Sequence, residues 1–229
     1  MIETGVLFDD IHSFRDLNLV LAPFVLPPAK PKTTYIDVPG RDGSIDVTEA
    51  TGKITYKDRE FSFTFTVFPE DTMTFEERQT VVSNALNGKR CKITLDKDPD
   101  YYLDGRCTVD KHFANKKLRQ IVVSVRCAPY KMKQQETVAI VTLKQGDEKT
   151  YIFRNGKKEV QTAIQITASK MAAVAIYNAG YDEDYKNYLC MPGTMNYVGI
   201  YLHEGNNTVK VKAPNCDATI KFVYREGDL

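Results

Sequence analysis

Three groups of residues in this chain carry side chains capable of chemistry. The histidines, His12, His112 and His203, lie too far apart to form a local pair. None sits in an HExxH helix, and neither a GxSxG elbow nor a GxxxxGK[ST] phosphate loop occurs, so zinc peptidases, serine hydrolases and nucleotide-binding enzymes lose their local signatures. Asp96, Asp98 and Asp100 alternate as at the start of a calcium loop. Such a loop also needs Gly at its sixth position and a bidentate Glu at its twelfth, and here those are Tyr101 and Cys107. The run reads as a solvated acidic turn pinned by Pro99. The five cysteines, Cys91, Cys107, Cys127, Cys190 and Cys216, are odd in number and contain no CxxC pair. They read as reduced, packed thiols rather than a disulfide or zinc framework. No catalytic, cofactor-binding or metal-ligating residue is therefore assigned, and the chain is not expected to be an enzyme.

Binding chemistry is equally sparse. Lys116-Lys117 and Lys157-Lys158 read as solvated hairpin tips rather than phosphate clamps. Asn206-Asn207-Thr208 matches the glycosylation sequon, but Met1-Ile2-Glu3-Thr4-Gly5 does not begin a secretion signal, so the sequon reads as a turn. A sugar site usually presents an aromatic platform, and the chain has no Trp. Tyr177, Tyr181, Tyr185 and Tyr188 are the available substitutes, with packing and loop anchoring the favoured roles.

Composition limits the classes further. With 42% hydrophobic and 27% charged residues, the chain has the make-up of an ordinary globular protein. Its 31 basic and 30 acidic residues are balanced in both halves, so no basic arm of the kind that grips nucleic acid is present. No apolar run approaches a membrane span, and the longest near the start, 17–28, is broken by Pro23, Pro27 and Pro28. A length of 229 residues suits two domains.

The elements that must position these residues are mostly strands. Over Arg59–Val67, Phe61, Phe63, Phe65 and Val67 alternate with Ser62, Thr64 and Thr66, predicting an antiparallel strand with an aromatic core face and a hydroxyl outer face. Arg41-Asp42-Gly43-Ser44, within the turn-rich Pro39–Gly43, predicts a hairpin-like turn. Thr74 and Glu77 have capping-box spacing, and Phe75, Val81, Val82, Ala85 and Leu86 follow a helical period, predicting one helix over 75–87 stopped by Gly88. Strands Cys91–Leu95 and Tyr101–Val109 follow, then a polar tip at Asn115-Lys116-Lys117 and a closing strand Gln120–Cys127.

A seam falls at Pro129-Tyr130-Lys131-Met132-Lys133, giving domains 1–133 and 134–229. Beyond it eight short strands are expected: Val138–Leu143, Thr150–Phe153, Val160–Thr167, Ala172–Tyr177, Lys186–Cys190, Tyr197–Leu202, Thr208–Val211 and Ala218–Tyr224. Turn signals, among them Asn155-Gly156, Pro192-Gly193 and Gly205-Asn206-Asn207, separate them. That spacing suggests a jelly-roll β-sandwich. Met171–Ala175 has helical propensity too, and strand is preferred. The fold class is thus mainly β in two domains, an N-terminal β-sandwich or barrel-like module with one helix and a C-terminal jelly-roll β-sandwich.

Across nearly its whole length the chain resembles the distal tail proteins of long-tailed, non-contractile bacteriophages. The resemblance rests on Pro39–Gly43 followed by Arg59-Glu60-Phe61-Ser62-Phe63, the helix end Ala85-Leu86-Asn87-Gly88, and Asp98-Pro99-Asp100-Tyr101-Tyr102 ahead of Gly105-Arg106. Cys127-Ala128-Pro129-Tyr130 and the closing stretch from Leu202-His203-Glu204-Gly205 to Tyr224-Arg225-Glu226 complete it. It implies a galectin-like C-terminal sandwich and a structural virion component at the tail tip, made in the cytoplasm of the bacterial host. It also implies a hexameric homo-oligomer whose ring is built by residues 1–133 and joins the tail tube protein to the tail-tip protein. DNA would pass through the lumen without specific binding, and the C-terminal domains would dock receptor-binding or other baseplate proteins. It implies no catalytic or cofactor residue and no membrane contact, and ring-interface and lumen residues are not assigned.

The physics of a ring suits these residues. A repeated head-to-tail contact needs two complementary faces on one module, and strand edges provide docking rails. The segment Pro23–Pro31 is expected to serve as an extended arm across a neighbour. A carbohydrate- or receptor-binding adaptor that forms no ring is the alternative function.

Overall fold

Strand alternation and one capped helix organise the first half of the chain. The computed structural model describes residues 5–229 other than 69–71, 116, 181 and 183, with the backbone alone over 111–115. The chain divides into two units, Met1–Lys131 and Met132–Leu229.

In the first unit, β1 (Val6–Phe8), β2 (Ile11–His12), β3 (Leu19–Leu21), β4 (Tyr35–Ile36), β5 (Ile45–Asp46) and β6 (Arg59–Val67) precede helix α1 (Phe75–Leu86). After the helix come β7 (Arg90–Leu95), β8 (Asp98–Asn115) and β9 (Gln120–Cys127). Apart from the β4–β5 hairpin they form one antiparallel sheet in the order β2-β1-β7-β8-β9-β6-β3. Along β6, Phe63, Phe65 and Val67 are buried and Phe61 half-buried, while Glu60 and Ser62 face solvent. Phe8 of β1 meets Phe63 edge-on, ring centres 6.0 Å apart, so the first strand and the aromatic strand share a core.

Helix α1 begins as its sequence requires. Thr74 N–H donates to the Glu77 carboxylate at 2.9 Å, and Glu77 N–H donates back to Thr74 Oγ1 at 3.3 Å. Val82 and Leu86 are buried, with Phe75, Val81 and Ala85 packed at the margin of the core. Asn87 is the C-cap rather than the last helical residue, and Gly88 follows at φ +75°, a left-handed turn that favours glycine. Gly88 N–H donates to Cys107 O, and Asn87 Oδ1 accepts from Val109 N–H, so the helix end is fastened to β8.

One expectation changes here, and three short strands are new. The acidic turn contracts to Asp96-Lys97, because Leu95 pairs with Asp98 and Asp98-Pro99-Asp100 already belongs to β8, an 18-residue strand. The short strands β1, β2 and β3 carry too few alternations to be read from sequence, yet Val6, Phe8 and Leu19 are fully buried.

β10 (Lys131–Lys133) straddles the boundary, and the second unit continues with β11 (Thr137–Leu143), β12 (Asp147–Asn155), β13 (Val160–Ala168), β14 (Ala172–Ala179) and β15 (Lys186–Cys190). It ends with β16 (Gly193–Leu202), β17 (Gly205–Ala213), β18 (Ala218–Tyr224) and β19 (Gly227–Asp228). Two four-stranded antiparallel sheets, β11-β18-β13-β16 and β12-β17-β14-β15, form its sandwich. All eight expected strands are present, several longer at their ends. Ala172–Ala179 is strand: Ala172, Val174 and Ile176 alternate into the core, and packing outweighs the helical propensity of Met171–Ala175.

The turn expected at Gly205-Asn206-Asn207 lies instead at His203-Glu204, since β17 starts at Gly205. Asn207, 2% exposed, explains the shift. Its Oδ1 accepts from His203 N–H and its Nδ2 donates to His203 O and Gly205 O, so the side chain satisfies the turn's backbone from inside the strand. Gly193, expected in a turn, likewise opens β16.

Candidate functional site

The strongest candidate surface is a projecting two-stranded arm over residues 30–57. Its base is closed by the Pro31–Tyr56 bridge, with Lys32 N–H donating to Thr55 O and Lys57 N–H to Lys30 O. Farther out, β4 pairs with β5, joining Tyr35 to Asp46 and Ile36 to Ile45. The tip contains Pro39-Gly40-Arg41-Asp42-Gly43, and both glycines take positive φ, +80° and +74°. Arg41-Asp42-Gly43-Ser44 therefore lies in the loop that closes the β4–β5 hairpin, at the far end of the arm. Tyr35, Ile36, Val38, Ile45 and Ile54 are exposed along it, Tyr35 at 58% and Ile36 at 50%. An isolated two-stranded ribbon is marginal in water, and exposed apolar residues on one invite a partner surface.

The Pro-rich segment behaves differently from the expected free arm. Phe24 packs on Phe61 and Phe63, with ring centres 5.5 and 4.6 Å away, and Leu26 joins the same core. Burial of alternate apolar side chains outweighs the shortage of backbone donors, while Val25, 88% exposed, points outward. Arg59, at the head of β6 and 4% exposed, fixes the segment: its Nη1 donates to Pro27 O and its Nε to Pro129 O, each at 2.7 Å. Burial lowers the pKa of this guanidinium from its ordinary value. Sequence alternation placed Arg59 on the aromatic face but gave no sign of the two carbonyls it would reach.

The residues first considered for chemistry serve the fold. Asp96 accepts from Gly5 N–H at 2.7 Å and lies 3.1 Å from His12 Nε2, while Asp98 pairs with Lys131 Nζ at 2.6 Å. His203 belongs to the turn held by Asn207, and the side chain of His112 lies outside the described residues, as does Lys116. Among the described residues no cluster of His, Cys, Asp and Glu is placed to hold a metal ion. Lys157 pairs with Glu204 at 2.8 Å, and Lys158 N–H donates to Gly227 O.

A concavity of about 790 Å³ lies on the outer face of β6, β7, β8 and β9. Arg90 grips Asp104 with two hydrogen bonds of 2.7 and 2.8 Å, and Arg126 Nε lies 3.1 Å from Asp58. Ser62 and Ser124 hydroxyls meet at 3.0 Å. Cations and carboxylates are matched within this face, so it has no charge excess for binding an ion.

On the second unit the tyrosines split into pairs rather than one platform. Tyr177 and Tyr185 rings lie 5.3 Å apart, with Lys212 Nζ 4.4 Å above Tyr185 and Tyr185 Oη donating to Glu148. Tyr188 meets Tyr197 edge-on, and Tyr197 Oη donates to Leu189 O. Tyr181 lies outside the described residues.

All five cysteines are buried and free. Burial pushes the Cys127 thiol up to about 11. Cys91 and Cys107, on neighbouring strands, have sulfurs 3.6 Å apart.

No curated protein sequence matches the chain. Among solved structures, the fold is similar to the Dit (gp 19.1) protein of phage SPP1, described as a paradigm of the hub adsorption apparatus in phages infecting Gram-positive bacteria. The similarity has a TM-score of 0.71 at 14% identity and covers 97% of this chain and 98% of that one, which establishes a shared fold. An exo-β-1,3-galactanase from Phanerochaete chrysosporium aligns over 97% of this chain and 68% of its own, at 8% identity and a TM-score of 0.25, and carries no argument. Residues 12–175 match the phage tail protein RIFT-related domain, and that span runs from β2, through the arm, α1 and the long β8–β9 pair, into the second unit. The chain belongs to this family of phage tail proteins.

Proposed function

We propose that the protein is a structural hub at the tip of a long, non-contractile phage tail, in which six copies close into a ring. The ring joins the last part of the tail tube to the tail-tip protein and leaves a channel for DNA. Residues 1–133 assemble the ring, and residues 134–229 point outward to dock receptor-binding or other baseplate proteins. No catalytic step is part of this role. Family membership and the fold shared with a hub protein support the reading, and the carrying observation is the arm at 30–57. Its apolar residues Tyr35, Ile36, Val38, Ile45 and Ile54 stay 37–58% exposed, and a neighbouring copy can cover them with one repeated contact. Closure keeps such a head-to-tail contact from growing into a filament.

The test is negative-stain imaging and light scattering of the full chain at high concentration, beside the triple variant Tyr35→Ser, Ile36→Ser, Ile45→Ser. Rings from the native chain and their loss in the variant are expected, with the thermal midpoint little changed. Rings that survive in the variant would move the interface off the arm. If neither protein forms rings, alone or with tail partners, the adaptor reading replaces this one. The Tyr177–Tyr185 pair with Lys212 and Glu148 is then the surface to challenge with glycans.

A further inference from the structure

We propose that Cys91 and Cys107 are a paired dithiol that closes to an intramolecular disulfide when the protein meets an oxidising medium. The pairing follows from strand register. Cys91 of β7 stands opposite Gly105 of β8, and Cys107 lies two residues farther along β8, so all three share the inward face. Gly105 has no side chain, and the Cys91 sulfur leans diagonally past it to within 3.6 Å of Cys107 Sγ. That is sulfur–sulfur contact, while the covalent bond is about 2.0 Å long. Diagonal neighbours on adjacent strands stand about 7–8 Å apart, at the outer limit of disulfide geometry, so closure also draws the backbones of β7 and β8 together locally.

The two thiols are not equivalent. Cys91 is 7% exposed and borders a cavity of about 330 Å³ lined also by Asp9, Lys89 and Arg90, whereas Cys107 is fully buried. The hydrogen bond between the sulfurs holds the Cys91 thiol below its ordinary pKa and, together with burial, raises Cys107 above its own. Because Cys91 borders the cavity and Cys107 is fully enclosed, Cys91 is the attacking thiol and Cys107 the resolving one. The oxidant is a small-molecule disulfide. Cys91 loses its proton and attacks one sulfur of that molecule, whose S–S bond breaks to release one thiol. Cys107 then loses its proton and attacks Cys91 Sγ, expelling the second thiol. Two protein thiols are oxidised and one external disulfide is reduced to two thiols. Such a bond staples β7 to β8 directly beneath the end of α1, and it forms only after the protein leaves a reducing compartment.

The experiment incubates the native full-length protein with excess oxidised glutathione, then counts free thiols and maps peptides without reduction. Two of the five thiols should be lost, with a peptide linking Cys91 to Cys107 and a higher thermal midpoint that reductant reverses. In Cys107→Ser the mixed glutathione disulfide should accumulate on Cys91, because its resolving thiol is gone. In Cys91→Ser, Cys107 should remain unmodified. Retention of all five thiols by the native protein, or a linkage joining other cysteines, overturns the proposal without reference to either variant's stability.

Discussion

His12 and Asp96, 84 residues apart in the chain, meet at 3.1 Å through Nε2 and Oδ2, while His12 Nδ1 accepts from the backbone N–H groups of both Phe14 and Arg15 at 3.2 Å. Because those amides can only donate, Nδ1 must offer its lone pair and the ring proton sits on Nε2, pointing at the carboxylate. Asp96 also takes Gly5 N–H, so one carboxylate anchors both ends of the first hairpin. A Cβ at Gly5 would fall 2.5 Å from the His12 ring, so the tight approach needs glycine there.

Replacing His12 with Ala should cost about 1–3 kcal/mol, since it leaves the amides of Phe14 and Arg15 and part of the Asp96 carboxylate without this partner. Asp96→Asn should cost less, because the amide oxygen still accepts from Gly5 or His12. Urea unfolding of the two variants checks the order, and equal losses would contradict the shared-anchor arrangement.

Phe63 is fully buried and lies near the rings of Phe8, Phe24, Phe61 and Phe65. Phe63→Ala is expected to cost about 3–5 kcal/mol in a denaturant melt, from lost burial plus the cavity left behind. Phe61→Ala, at the half-buried margin, should cost distinctly less.

The capping box gives a pH dependence with a definite sign. Hydrogen bonds from Thr74 hold the Glu77 carboxylate below its ordinary value of 4.5. Its folded-state pKa is thus depressed, so its contribution is complete above pH 4.5 and is lost as pH falls through the lowered value. Glu77→Gln should flatten the acid limb of the stability curve, and Thr74→Ala should lower stability by about 1 kcal/mol at neutral pH.

Calcium should leave the thermal midpoint unchanged. A ligand specific to the folded state must raise it by mass action, and the carboxylates of the acidic run already hold Gly5, His12 and Lys131. A rise that grows with calcium concentration would reverse this assignment.

Limited trypsin digestion should cut first within the arm, at Lys32, Arg41 or Lys53, rather than at the joint near residue 133. The arm is exposed along nearly its whole length, whereas Lys131 is held by Asp98 and Lys133 by Glu226. Mass mapping of the earliest fragments decides between these sites.

The amino-acid sequence alone determined whatever depends on near neighbours. The capping box at Thr74 and Glu77 spans one turn of helix, and alternation in β6 and in the sandwich strands reports which side of each strand is apolar. Such patterns are written within ten residues, because helix and strand geometry repeat over that range. Family resemblance added the order of these elements. Tertiary structure alone decided where long-range partners fall. Nothing near Asp96 announces Gly5, 91 residues away, and nothing near Arg59 announces Pro27 and Pro129. The same limit hid the contact of Cys91 with Cys107, which depends on strand register, and sent the Pro-rich segment onto its own core. It also left the ribbon over 30–57, with Tyr35, Ile36 and Ile45 exposed, standing in solvent. Periodicity shows that a strand has an apolar side, and only the packed molecule shows whether its own core is there to cover it.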